Sequence, residues 1–231
     1  METSLHRQLK AHYAPNEEAI EVQHEGFRID AVLDSGELVE IQHASLGALR
    51  DKTRKLLSQT KNRLRIIKPV LARKRVTTLT DRDGEVKRSR MSPKRGTVVD
   101  IFEDLVHFST VFPRARLTLE IALIEAEEVR LDRKRPTRRG VRHRTIDQRL
   151  VEVIDSVELR TKNDLLELLP YTALPTEFDT AELGAAMDRP RWFAQKVAYC
   201  LRHTGVAKLV GKRGNSQLYR LTKKRRKKSA A

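Results

Sequence analysis

The chain has 231 residues, 34% of them charged, with 47 Lys and Arg against 31 Asp and Glu and a formal net charge of +16. That length allows one large domain or two small ones around a buried core, and so basic a balance points to a polyanion: DNA, RNA or an anionic membrane surface. No apolar run approaches the ~20 residues of a membrane span, the start METSLHRQLK lacks the apolar stretch of a signal peptide, and the single Cys200 excludes an internal disulfide and a Cys-built zinc site, so a reducing, cytoplasmic setting is expected.

Leu5–Tyr13 reads as a short helix stopped by Pro15. Three alternating runs follow: Ala19–Gln23, Phe27–Leu33 and Glu37–Gln42. Ser45 caps a helical segment from Leu46 to about Lys61, with Leu46, Leu49, Leu56 and Leu57 at helical spacing. Leu64–Leu71 is β-like, and Val76–Thr80 and Glu85–Arg88 flank a turn at Asp83-Gly84. A basic loop, Arg90–Gly96, leads into a helix from Val98 to about Phe108, and Arg116–Ile124 (RLTLEIALI) is a strand. From Arg130 to Arg144 the chain is basic and poor in apolar residues, which predicts a boundary. Ile146–Asp155 and Asn163–Leu169 then bridge to a compact C-terminal unit. The expected division is a domain over 1–130, a basic linker with bridging elements over 131–176, a small domain over 177–222 and a basic tail over 223–231. The KKRRKK run in that tail reads as phosphate-seeking charge.

The stretch FRIDAVLDSGELVEIQ, Phe27–Gln42, places Asp30, Glu40 and Gln42 inside strands. A three-residue loop, Asp34-Ser35-Gly36, suits a hairpin with Gly in the left-handed position. Asp30 then faces Glu40, and Arg28 faces Gln42. Opposed residues share a face; a two-residue loop would separate the acids. A turn at Glu25-Gly26 sets Glu21 opposite Asp30. Glu21, Asp30, Glu40 and Gln42 line one face of a three-strand meander, and Ile20, Val22, Phe27, Ile29, Ala31, Val39 and Ile41 the other. A half-solvated antiparallel sheet also alternates in this way. Against it, Val32 and Leu38 share the acidic face, and opposed carboxylates repel unless a divalent cation lies between them; hard oxygen ligands suit Mg²⁺.

The order helix, three-strand meander, helix, strand resembles the core of the PD-(D/E)xK nucleases over roughly residues 1–72, with Asp30 and the Glu40-Ile41-Gln42 triplet at the motif positions. The resemblance implies an α/β (α+β), restriction-endonuclease-like core with a mixed sheet. It implies phosphodiester hydrolysis with Mg²⁺ or Mn²⁺ held by Asp30, Glu40 and the Ile41 carbonyl, with Glu21 at a second metal or a metal-bound water. Gln42 and Lys52 would place the nucleophile or neutralise charge. The chain departs from the pattern in two places: Ile29, not Pro, precedes Asp30, and Gln42 stands where Lys is usual. Lys52, on the apolar stripe between Leu49 and Leu56, is the expected substitute cation, as in branches of the superfamily whose lysine lies on this helix; its alternative is to snorkel outward. Lys94 and Arg95, ahead of a helix start, form a candidate phosphate seat, with a solvated turn as the alternative. The histidines weighed, His12, His24, His43, His107, His143 and His203, give no pair at metal-ligand spacing such as HxxxH, and His43 follows the motif.

In the C-terminal unit, Asp179 or Thr180 caps a short apolar helix, and Asp188 is expected to cap a second, RWFAQKVAYCLRHTG, with Pro190 in its first turn and Gly205 at its end. Phe193, Val197, Cys200 and Leu201 form its buried stripe. Val206–Val210 and Gln217–Leu221 flank a basic tip containing Lys212 and Arg213. Helix, turn, basic helix and hairpin resemble a winged helix over about residues 177–221. That implies a second helix in the major groove and a wing on the backbone, with Arg189, Arg191, Lys196, Lys212 and Arg213 on phosphates and Gln195 on a base edge. A winged helix can instead serve protein contacts. The expected function is a metal-dependent DNA endonuclease with a C-terminal DNA-binding module. The alternatives are a non-catalytic DNA-binding protein with a degenerate core, favoured by the missing lysine, and an RNA-processing factor. DNA is the expected partner, a membrane is not, and a homodimer is compatible.

Overall fold

A computed structural model describes residues 2–59, 63–80, 84–132, 137, 140 and 143–222. Asp83 of the expected Asp83-Gly84 turn, most of the stretch 133–142 and the tail 223–231 lie outside the described residues. The architecture is α+β, with a mixed seven-stranded sheet and a separate two-stranded one. Two compact units divide the chain.

The first unit holds the residues up to His43, Lys55–Val98 and Thr118–Glu158. It begins with α1 (Ser4–Tyr13), capped by the Thr3 hydroxyl, which accepts from the His6 N–H. The strands β1 (Ile20–His24), β2 (Phe27–Val32) and β3 (Leu38–Ile41) form the expected meander. Glu25 and Gly26 take φ of +49° and +81°, the mirror-image turn whose twist matches a hairpin. Gly36, at φ +74°, closes the second loop. The register agrees with the reading of the loops: Val22 pairs Ile29, Ala31 pairs Val39 and Val32 pairs Leu38.

The helix α2 (Arg50–Gln59) starts in the second unit and ends in the first. It follows a short 3-10 turn, Leu46–Leu49, capped by Ser45, and precedes β4 (Leu64–Leu79), which runs parallel to β3 with Glu40 beside Ile66. Parallel neighbours need such a crossover. The sheet is completed by β5 (Val86–Met91), β6 (Leu117–Asp132) and β7 (His143–Leu159), in the order β1-β2-β3-β4-β6-β7 with β5 on β4. Leu5 and Leu9 of α1 share a core with Ala31, Val39, Ile41, Ile67 and Ile124. Every residue of β3, Glu40 included, is buried, as for a strand covered on both faces.

Two elements differ from the reading of the sequence. The runs Leu64–Leu71 and Val76–Thr80 are one strand. The cations between them remain in the ladder because acids meet them: Arg73 pairs Glu125 and Glu152, and Lys74 pairs Glu128. The span 131–176, expected as linker and bridging elements, contains β7, an integral strand whose Leu150 and Val153 pack on the core. β7 ends the sheet, and α1 partly closes its edge: the Leu150 N–H donates to Gln8 Oε1 at 2.8 Å and the Ser4 N–H to Asp147 Oδ1 at 3.0 Å.

The second unit holds Ala44–Arg54, Val99–Leu117 and the residues from Leu159. The helix expected over Val98–Phe108 is a 3-10 turn followed by the five-residue α3 (Ile101–Leu105). Then come α4 (Lys162–Glu167), α5 (Thr180–Ala186), α6 (Arg191–His203), β8 (Ala207–Arg213) and β9 (Ser216–Leu221). Asp179 caps α5 reciprocally with Glu182. Asp188 does not cap α6: it sits at φ +50° in the intervening turn, and Pro190 holds the cap position. The stripe Phe193, Val197, Cys200 and Leu201 is buried as expected, and Gly205 follows the helix at φ +74°. β9 ties back to Phe178 through reciprocal bonds with Tyr219 of 3.0 and 2.8 Å. Among the described residues no helix is long and apolar enough to cross a membrane.

Candidate functional site

The β2–β3 ladder runs through Val32–Leu38 and Ala31–Val39, with Asp30 and Glu40 the next residues beyond it. The ladder between β2 and β3 stops there, and the Asp30 carboxylate replaces it: Oδ2 accepts the Ile41 N–H at 2.8 Å. Its other oxygen lies 3.4 Å from Nε2 of His6, on α1. Burial pushes the Asp30 carboxyl up, but His6, the Ile41 amide and Lys10 outweigh it and hold it below the usual range.

Around this carboxylate the unit gathers further polar groups. The His6 and His43 rings lie 5.5 Å apart, centroid to centroid. Burial first, then the charges of His6 and Lys68, bring the His43 imidazole down to about 4. The residue as a whole is exposed, and the Lys68 ammonium acts in the same direction as burial. Lys68, buried on β4, donates to the His43 carbonyl at 2.9 Å. Lys10, only 4% exposed, bridges Glu2 at 2.5 Å and Glu21 at 2.6 Å.

Glu21 is the residue expected at a second metal or a metal-bound water. Its backbone is left-handed, at φ +57°, and its carboxylate is engaged by Lys10 and Arg28. Hydrogen bonds from those two cations hold its carboxyl below the ordinary range. Glu40 is buried and Gln42 half-buried. Lys52 lies in the first turn of α2, half-buried, among the residues of the second unit. The donor set of Asp30, Glu40 and the Ile41 carbonyl fits Mg²⁺ in type. One Asp30 oxygen is already engaged by an amide, and no group of three or more His, Cys, Asp or Glu side chains among the described residues is placed to hold a metal.

His6 and Lys10 escaped the reading of the sequence. A signal was present: Glu2, His6 and Lys10 recur at every fourth position, beside the apolar Leu5 and Leu9, a spacing that puts a polar stripe along one edge of the buried face.

The expected nucleic-acid contacts divide. Lys94 and Arg95 are exposed. The helix after them, α3, has a single turn with Glu103 and Asp104 at its start. In the second unit, Arg189 pairs Asp100 at 2.5 Å and stacks on Phe193, Lys196 pairs Glu103 at 3.2 Å, and Arg213 pairs Glu182 at 2.9 Å. Arg191 donates to the Thr180 and Ser216 hydroxyls. Gln195 and Lys212 are exposed. The exposed side of α6 also carries Trp192 and Tyr199, 53% and 41% exposed. Cys200 is buried, which pushes its thiol up to about 12 and removes it as a nucleophile.

Residues 3–160 match the family described as Domain of unknown function (DUF8091), and the chain belongs to that family. It is 32% identical over 222 residues to an uncharacterized protein of Treponema pallidum (strain Nichols), covering 95% of this chain and 85% of that protein. No solved structure matches.

Proposed function

We propose that the chain is a metal-dependent DNA endonuclease of the PD-(D/E)xK type, with residues 177–222 as a winged-helix DNA-binding module. The observation that carries this reading is the three-strand meander with Asp30 and Glu40 next beyond its last β2–β3 pair, Ala31–Val39, followed by a crossover to parallel β4. Asp30, Glu40 and the Ile41 carbonyl would hold Mg²⁺ or Mn²⁺, which would supply water activation and charge stabilisation at the scissile phosphate. Gln42 orients the water by hydrogen bonding. His6, beside the Asp30 carboxylate, keeps it ionised and oriented. The net charge of +16 supports a polyanionic substrate, and the order α5, α6, β8, β9 supports the DNA-binding module.

The test is cleavage of plasmid, linear and branched DNA in Mg²⁺ or Mn²⁺, by the wild type and by the near-isosteric Asp30→Asn/Glu40→Gln variant. Nicking that disappears in the variant, with DNA affinity retained, supports the enzyme. Two observations favour a second reading, a DNA-binding protein with a degenerate core: Gln42 brings no cation, and the Ile41 amide engages Asp30. Unchanged DNA affinity and no cleavage by either protein would select it.

A further inference from the structure

A second polar concavity lies in the first unit, on β4 and the strands beyond it. Val76 pairs Arg90 and Thr78 pairs Arg88, so these four side chains project from one face of the β4–β5 pair. Arg130 and Asp132 of β6 and His143 of β7 complete a cavity of about 140 Å³. Among the described residues its lining sets three guanidinium groups and an imidazole against one carboxylate.

The anions around it are engaged by cations. Lys87 holds Asp132 at 2.5 Å, and Glu128, next along β6, is bonded by Arg130, Lys74 and Thr145. Glu128 thereby fixes the Arg130 guanidinium from behind. Arg88 and Arg90 are exposed. Guanidinium forks match the geometry of phosphate oxygens and bind them bidentately. A sheet that collects like charges in one depression bears a repulsion that an oxyanion relieves.

We infer that this cavity is a phosphate-binding seat, taking either the backbone phosphate of a nucleic-acid strand or a free phosphate group. The strand source rests on the DNA reading above; the phosphate chemistry does not.

The test uses the full chain without divalent metal, so its result is separate from cleavage. Inorganic phosphate is titrated while the His143 ring and Arg130 Nε–H signals are followed by NMR. Binding of labelled single-stranded and duplex oligonucleotides is measured across salt concentrations. Arg88→Gln/Arg90→Gln changes only exposed side chains, and its remaining amide spectrum checks the fold. The expected result is a saturable shift of both signals, weakened at least about tenfold in the variant, with oligonucleotide affinity down by a similar factor and a salt slope smaller by roughly two. Phosphate shifts with unchanged oligonucleotide affinity would support the seat and assign it a free phosphate. No phosphate shift and unchanged oligonucleotide affinity would overturn it.

Discussion

Asp30 substitutes for a broken ladder, accepting a main-chain proton from β3 on one oxygen and facing His6 with the other. Its neighbours set acid sensitivity. The Asp30 pKa is depressed on folding, so its contribution is present above the ordinary carboxyl range and is lost as pH falls through the folded value. For His43 the folded pKa is also depressed, but the folded state favours the neutral ring. The unfolded chain therefore binds more protons between the ordinary 6.5 and about 4, and stability falls as pH drops across that window. Thermal melts from pH 7 to pH 4 should show this decline, and His43→Gln should flatten it; an unchanged slope in the variant would refute the assignment. Lys10→Met removes the cation that Glu2 and Glu21 share, while Arg28 still holds Glu21, and should lower the midpoint of urea unfolding. Glu2→Gln should cost much less, because Lys10 keeps Glu21.

Turn chemistry made the meander the most legible element. Glu25-Gly26 and Asp34-Ser35-Gly36 each specify a loop length, and loop length specifies register. The β4 strand was harder to read because its polar middle interrupts the apolar alternation, and the acids that balance it lie on β6 and β7, far away in sequence. β7 itself alternates weakly, and its place in the sheet depends on contacts that no local pattern encodes. Two element-level predictions follow from local geometry. A Cβ on Gly96 would stand 2.7 Å from Val70 Cγ1 and 2.8 Å from the Leu71 carbonyl, so Gly96→Ala should destabilise by roughly 1–3 kcal/mol. Asp179→Ala removes the bonds to the Ala181 and Glu182 amides and should cost about 1 kcal/mol. Both are measurable by chemical denaturation, and a neutral result at Gly96 would show that the loop shifts freely.

Ion pairs between residues far apart in sequence link the strands of the first unit in addition to apolar packing. Arg65 of β4 meets Glu37 at 3.0 Å and both Glu120 of β6 and Glu158 of β7 at 2.5 Å, while Tyr13 of α1 donates to Glu120 at 2.7 Å. Arg65→Met would remove the cation that three carboxylates share, two of them buried, and should cost about 3–5 kcal/mol; Arg65→Lys should recover only part of it, since an ammonium lacks the fork. Unfolding midpoints of the two variants test the ordering. In the candidate site, the hairpin that carries Asp30 and Glu40 was legible because its loop sets the register of β2 and β3. His6 and Lys10 come from α1 and Lys68 from β4, and only folding brings them to Asp30 and His43.

The uninterrupted length of β4 acts as a ruler. From Ile66, beside Glu40, to Thr78, at the arginine-lined depression, an extended chain at ~3.3 Å per residue covers at most about 40 Å. B-form duplex advances about 3.4 Å per base pair, so a strand gripped at both ends of that ruler would be footprinted over little more than one helical turn.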